Sequence, residues 1–192
     1  MSTTERSVCW LPLAEAGKPG PGMEHLVLGA TSADSMVLGV DAAQGPFRLH
    51  YRLQWTARWQ IRGAVLTLTT TTRSVRTLQM ETDGQGRWCD GDGNPLAGLE
   101  GCRDIDIWPT PFTNTFPIRR EPLAVGERRC FEVAWVFGPT LSVQKQQQAY
   151  TRLEDRLYRF ESLDENRFEA DIAVDADGLV LDYPGLFRRV PT

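Results

Sequence analysis

The sequence is nearly without lysine, carries little histidine and has no paired-cysteine motif. Of its 21 basic residues only Lys18 and Lys145 are lysines, and the net charge is -4. A chain of that sign spreads no broad attractive field for nucleic acid, so no nucleic-acid partner is expected. His25 and His50 stand far apart, with no carboxylate or cysteine at ligand spacing, which leaves a metal site without a basis. Cys9, Cys89, Cys102 and Cys130 lack C-x-x-C spacing and are read as reduced thiols packed like small apolar residues. No apolar run approaches the ~18 residues of a membrane-spanning helix, so no integral membrane segment is expected. Met1 to Glu5 is polar, with no basic cluster ahead of an apolar stretch, which predicts no secretory leader and a cytoplasmic location. The G-x-S-x-G elbow, the P-loop and the dinucleotide fingerprint are missing, and no cofactor is expected. Asp90 to Asn94 imitates the start of a calcium loop, but Pro95 and Gly101 stand where a glycine and a bidentate glutamate are needed, so the run reads as a turn.

What is present is alternation. With 41% hydrophobic and 24% charged residues over 192 positions, the chain suits a single domain, 1–192, with a sizeable core. Phe47, Leu49, Tyr51, Leu53 and Trp55 alternate with Arg48, His50, Arg52 and Gln54, a strand with one face inward. Leu66 and Leu68 fall out of phase with Trp59 and Ile61, which predicts a bulge near Gly63. First strands are expected around Val8 to Leu13 and Glu24 to Ala30, separated by a Gly/Pro loop over 17–22. Further strands fit Phe131 to Phe137, Phe168 to Val174 and Leu179 to Tyr183, with turns at Asp83-Gly84, Asp90-Gly91 and Asp177-Gly178. Residues 142–160 mix helix formers with the alternation of Tyr158 and Phe160, and two strands are favoured over one helix. The fold class is all-β, an antiparallel curved sheet, open barrel or sandwich with few or no helices.

Two segments are denser than the rest. From Arg103 to Arg120, Asp104 and Asp106 alternate with Ile105 and Ile107, and three prolines within nine residues then end the ladder. The expectation is a strand with solvated aspartates feeding a rigid loop, with Trp108 at its mouth and Phe112, Thr113, Asn114 and Thr115 displayed. From Asp175 to Arg189 a turn leads into a strand that Pro184-Gly185 stops, leaving Arg188 and Arg189 beyond it. Asp104, Asp106 and Asp182 offer a carboxylate pair for glycoside chemistry, but solvated strand aspartates are commoner. Any single tryptophan among Trp55, Trp59, Trp88 and Trp135 reads as core.

The runs WPTPFTNTFPIRR (Trp108 to Arg120) and DGLVLDYPGLFRR (Asp177 to Arg189), with Gln148-Ala149-Tyr150-Thr151 between them, resemble the bacterial glycolipid-binding family over most of the chain. The resemblance implies a single large, strongly curved antiparallel sheet, an open or half barrel akin to the periplasmic lipoprotein carriers, whose concave apolar face holds acyl chains. It implies non-catalytic binding of a small amphipathic ligand, a glycolipid or other acyl compound. The ligand-binding set drawn from these motifs is Trp108, Phe112, Thr113, Asn114, Arg119, Arg120, Gln148, Tyr150, Asp182, Tyr183 and Arg188, with Thr113, Asn114, Arg119 and Arg120 on the head group. The alternatives are a hydrolase or other enzyme acting on a small sugar or lipid through the aspartates, and a protein-interaction module.

Overall fold

Among the described residues, alternation becomes a sheet of 14 strands. The computed structural model describes residues 5–14, 20–72, 74–164 and 167–191, so positions 17–19 of the expected Gly/Pro loop lie outside the described residues. The first half of the chain forms β1 (Arg6–Pro12), β2 (Gly22–Leu28), β3 (Ser32–Asp41), β4 (Gly45–Trp55), β5 (Ile61–Thr70), β6 (Val75–Thr82) and β7 (Trp88–Asp90). After a 3-10 turn at Ala97–Leu99 come β8 (Asp104–Trp108), a second 3-10 turn at Phe112–Asn114 and the short helix α1 (Thr115–Arg120). The remainder is β9 (Arg128–Phe137), β10 (Ser142–Glu154), β11 (Leu157–Ser162), β12 (Glu169–Val174), β13 (Val180–Tyr183) and β14 (Phe187–Arg189).

The sheet order is β7-β6-β5-β4-β3-β2-β1-β14-β13-β12-β11-β10-β9-β8. The two ends of the chain therefore meet in mid-sheet, where Trp10 lies opposite Arg189. Neighbours run antiparallel except β8 and β9, which are parallel. That exception to the expected antiparallel pattern arises because the segment carrying α1 crosses back before β9 begins, as a parallel pair requires.

Local chemistry accounts for most elements. In β4 the five expected apolar side chains, Phe47 to Trp55, are buried, and Arg48, Arg52 and Gln54 are exposed. Gln54 pairs with Gly63 but Trp55 with Ile61, a bulge of one residue that resets the inward phase to Ala64, Leu66 and Leu68. Residues 142–162 form two strands, with Tyr150 paired to Phe160. Gly84 and Gly178 take the positive φ their turns require, but after β7 that role falls to Gly93, with Asp90 Oδ1 accepting from the amides of Asp92 and Asn94.

The sheet is curved but not closed, and what fills its concave side is the segment 104–120. Trp55 of β4 packs against Phe112 and Phe116, with ring centroids 6.0 and 5.4 Å apart, although β4 and β8 are remote in sheet order. Phe112, Thr115 and Phe116 have no exposed surface, and Thr113 only 1%. The expected rigid surface loop is therefore a plug of 3-10 turn and helix. Pro117 sits in the first turn of α1, where its missing N–H costs nothing. The aspartates of β8 are corrected as well: Asp104 is fully buried and Asp106 half-buried, because α1 and β10 cover the face that alternation assigned to solvent. Thr113 Oγ1 takes the amide of Ile107 at 3.1 Å, which caps the free edge of β8 from inside the same segment.

The four cysteines are free, with Cys102 buried and Cys130 exposed, so the reading of all four as packed apolar residues fails at Cys130. Burial pushes the Cys102 thiol up to about 11. Titration of the native protein with a disulfide reagent at pH 8 is expected to modify Cys130 first and Cys102 only on unfolding. Modification of Cys102 at the rate of Cys130 would contradict its placement.

Candidate functional site

Between β8 and the strands β9 to β14 lies a groove of about 570 Å³. One wall is a run of aromatic rings. Trp108 meets Phe187 at 5.8 Å, Phe187 meets Tyr183 at 6.3 Å, Tyr183 meets Phe160 at 6.0 Å, and Phe160 meets Phe168 at 6.3 Å between centroids. The opposite side is built of amides. Gln144, Gln146 and Gln148 lie two residues apart on β10, so the strand period sends all three to one face. Gln144 pairs with Trp135, which also lines the groove.

The polar floor is Asp106. Its Oδ1 accepts from Thr113 Oγ1 at 2.8 Å and its Oδ2 from Gln148 Nε2 at 2.6 Å. Burial raises this carboxyl from its ordinary value, against the two side-chain donors that lower it. Beside it, Tyr150 donates to Asn114 Oδ1 at 2.8 Å, and Asn114 Nδ2 donates to the carbonyl of Pro111 at 3.1 Å. Burial also raises Tyr150 and Tyr183 well above the ordinary phenol, so both keep their protons as donors. Among the described residues lining the groove none is lysine, arginine or histidine.

Of the residues the motifs single out, Trp108, Asn114, Gln148 and Tyr183 line this groove. Thr113 and Tyr150 stand behind it, holding Asp106 and Asn114, and Phe112 belongs to the core. The three motif arginines are engaged elsewhere. Arg120 forms a bidentate pair with Asp104, at 2.9 and 2.6 Å, and its guanidinium lies 5.7 Å from the ring of Phe131. Arg119 covers the ring of Trp59 at 5.5 Å. Arg188 pairs with Asp182 at 2.9 Å, both part-exposed on the sheet. Sequence reading passes over Gln144 and Gln146 as site residues and takes Trp135 for core, whereas it lines the groove. The legible signal was three glutamines at a spacing of two, which becomes a site only once residues 142–154 are a strand opposite β9.

No helix among the described residues is long and apolar enough to cross a membrane, which says nothing about strands. No group of three or more His, Cys, Asp or Glu side chains among the described residues could hold a metal ion. Comparison with curated proteins gives no match. Among solved structures, a crystal structure of a DUF1089 family protein from Pseudomonas aeruginosa is similar, with 45% identity, a TM-score of 0.86 and coverage of 90% of this chain and 94% of that one. The model of a family described as "Putative glycolipid-binding" matches residues 8–189, which hold every strand of the sheet from β2 to β14 and both segments that build the groove. The chain belongs to that family.

Proposed function

We propose that the groove holds the neutral sugar head group of a glycolipid or related acyl compound, and that the protein binds this ligand without catalysing a reaction. The observation that carries the reading is the lining itself: aromatic rings facing four amides, Asn114, Gln144, Gln146 and Gln148, and the carboxyls of Asp106 and Asp164, with no cation among the described lining residues. Ring faces suit the apolar faces of a sugar, while amide and carboxyl groups match its hydroxyls as donors and acceptors. A phosphate or sulfate head group calls for arginine or lysine, and the motif arginines Arg120 and Arg188 are already paired with Asp104 and Asp182. The groove volume lies within the rough range of 300–1,000 Å³ for small-molecule clefts. Because Phe112 and Phe116 fill the concave interior, an attached chain would follow the apolar rim at Leu186 and Phe187 and stay out of the interior. Two of the three aspartates offered for hydrolysis, Asp104 and Asp182, lie outside the lining and are spent on arginines, which supports binding over chemistry.

Titration with a panel of octyl glycosides below their micellar range, followed by tryptophan fluorescence, tests the proposal. Saturable binding is expected for at least one sugar, with octyl sulfate much weaker. Gln146→Ala is expected to lower the affinity about two- to tenfold, the loss of one neutral hydrogen bond, without changing the melting temperature. Equal binding of octyl sulfate, or saturable binding that Gln146→Ala and Trp135→Ala leave untouched, would move the site elsewhere.

A further inference from the structure

On the other side of Trp108, Leu186 and Phe187, which form a common wall with the groove, lies a second cavity of about 190 Å³. Its lining is mostly apolar and includes four aromatic residues, Trp10, Phe47, Trp108 and Phe187. It also includes two carboxylates, Glu24 and Asp41, and no lysine, arginine or histidine among the described residues.

Glu24 is the unusual member, because it is only 3% exposed and lies on the inward phase of β2, the phase of Leu26. Its Oε1 accepts from Ser35 Oγ at 2.9 Å, from Thr110 Oγ1 at 2.8 Å and from the hydroxyl of Tyr51. Its Oε2 is buried and has no hydrogen-bond partner among the described residues. Three donors on one oxygen and none on the other make a half-satisfied carboxylate, and a buried acceptor left alone is costly enough that native proteins keep few of them. Asp41 differs: its Oδ1 accepts from the amides of Ala43 and Gln44, at 2.9 and 2.8 Å, which closes the turn after β3. The missing chemistry at Glu24 is therefore a hydrogen-bond donor, and the uncompensated negative charge around it asks for that donor to be cationic.

We propose that this cavity is a second ligand site, which takes a protonated primary amine carried on a hydrocarbon chain, with the ammonium donating to Glu24 Oε2 and the chain lying among Trp10, Phe47 and Phe187. An ammonium supplies both the missing N–H and the missing charge, and aromatic rings around a cation add to the attraction. A quaternary ammonium would satisfy the rings but leave Oε2 without a hydrogen bond, which selects the primary amine. The apolar remainder of the lining selects a chain over a small hydrophilic amine. The assignment does not depend on the groove holding a sugar.

Calorimetric titration of the full chain with n-octylamine, n-octanol and sodium octanoate at pH 6 and pH 8 tests it. Octylamine stays protonated at both values, as a lysine side chain does. The titratable groups at the site are Glu24, Tyr51 from β4 and Asp41; His25 points to the outer face of β2, where it bonds Ser7 Oγ at 2.7 Å. Burial pushes Glu24 up to about 7, so the affinity for octylamine is expected to rise roughly tenfold from pH 6 to pH 8 as the carboxylate forms. Octanol is expected to bind weakly and without that pH dependence, and octanoate not at all. Glu24→Gln is expected to bind octylamine at least tenfold more weakly than the parent at pH 8, with a flat pH profile, while its affinity for octyl glycosides stays unchanged. Should Glu24→Gln fail to fold, proton release settles the matter on the parent protein: octylamine binding at pH 6.5 in two buffers of different ionisation enthalpy is expected to release a proton. The proposal is overturned if octylamine fails to saturate a site, if octanol or octanoate binds as tightly, if a folded Glu24→Gln binds octylamine like the parent, or if no proton is released.

Discussion

Replacing Glu24 with glutamine is expected to stabilise the protein at pH 8 and to do little at pH 4.5. In the folded chain the carboxyl is pushed up from 4.5 to about 7, chiefly by burial and against the hydrogen bonds from Tyr51, Thr110 and Ser35. The unfolded chain releases the proton at the lower value. Between the two values the folded state holds a proton that the unfolded state has already lost, so stability falls as pH rises through this window. Below it both states are protonated and the penalty is absent. Above it the whole penalty is present, about 3 kcal/mol for a shift of that size. Glutamine removes the charge, keeps an acceptor for the three hydroxyls and places an N–H₂ where Oε2 stood. Against this, neutral acceptors bind hydroxyl donors less strongly than a carboxylate does, by roughly 1 kcal/mol. The net gain at pH 8 is then about 1–3 kcal/mol, or several degrees for a chain of this length. The check is the difference in melting temperature between variant and parent from pH 4.5 to pH 8. A difference that stays constant would mean that Glu24 titrates alike in the folded and unfolded chains.

Arg120→Ala is expected to be the most destabilising single change in the segment that plugs the sheet. The side chain of Asp104 is 0% exposed and that of Arg120 9%, and the two are joined through a bidentate contact. Arg120 also reaches Glu121 at 2.7 Å, which Arg129 holds in turn at 2.6 Å. Removing the guanidinium leaves Asp104 buried without its cation, a loss of about 3–5 kcal/mol. Burial already raises the pKa of Asp104, and the guanidinium opposes that rise. In the variant the opposition is gone, so the carboxyl takes up a proton more readily in the folded state and the destabilisation should shrink as the pH is lowered toward 5. Arg120→Lys should recover only part of the loss, because an ammonium cannot make the paired contact. Replacing both partners with apolar residues, Asp104→Leu with Arg120→Met, should approach the parent, since no buried charge is then left alone. Denaturant unfolding of the two single variants and the double gives the coupling directly. An Arg120→Ala variant within 1 kcal/mol of the parent would place the pair in solvent.

The same contacts explain why the arginines of the Trp108 to Arg120 motif looked like head-group ligands. Paired arginines after a proline-rich run are chemically suited to an anion, and nothing within the run says that Arg120 will meet an aspartate sixteen positions earlier. Gln148 was within reach of sequence reading as part of a motif, whereas Gln144 and Gln146 needed the strand assignment of 142–154 and the partner strand carrying Trp135. Glu24 left a weaker sign, a charged residue on the apolar phase of its strand, and that sign does not distinguish a buried acid from an edge position.

Taken alone, the sequence determined what the backbone period can carry. Alternation of apolar and polar residues assigns the inward face of β4 and the slip near Gly63, and it favours two strands over a helix for 142–160, because side chains two apart on a strand must share a face. Turn chemistry at Asp83-Gly84 and Asp177-Gly178 is equally local, since an aspartate acceptor and a positive φ fit within a few residues. Only the tertiary structure decided which of those faces lies inside a curved sheet and what fills it. Curvature brings β4 against Phe112 and Phe116, and α1 over Asp104, so a segment that alternation half-exposes becomes core. The burial of Asp104, Asp106 and Glu24, and with it their protonation and their partners, depends on contacts made far along the chain. Local periodicity holds no information about such contacts.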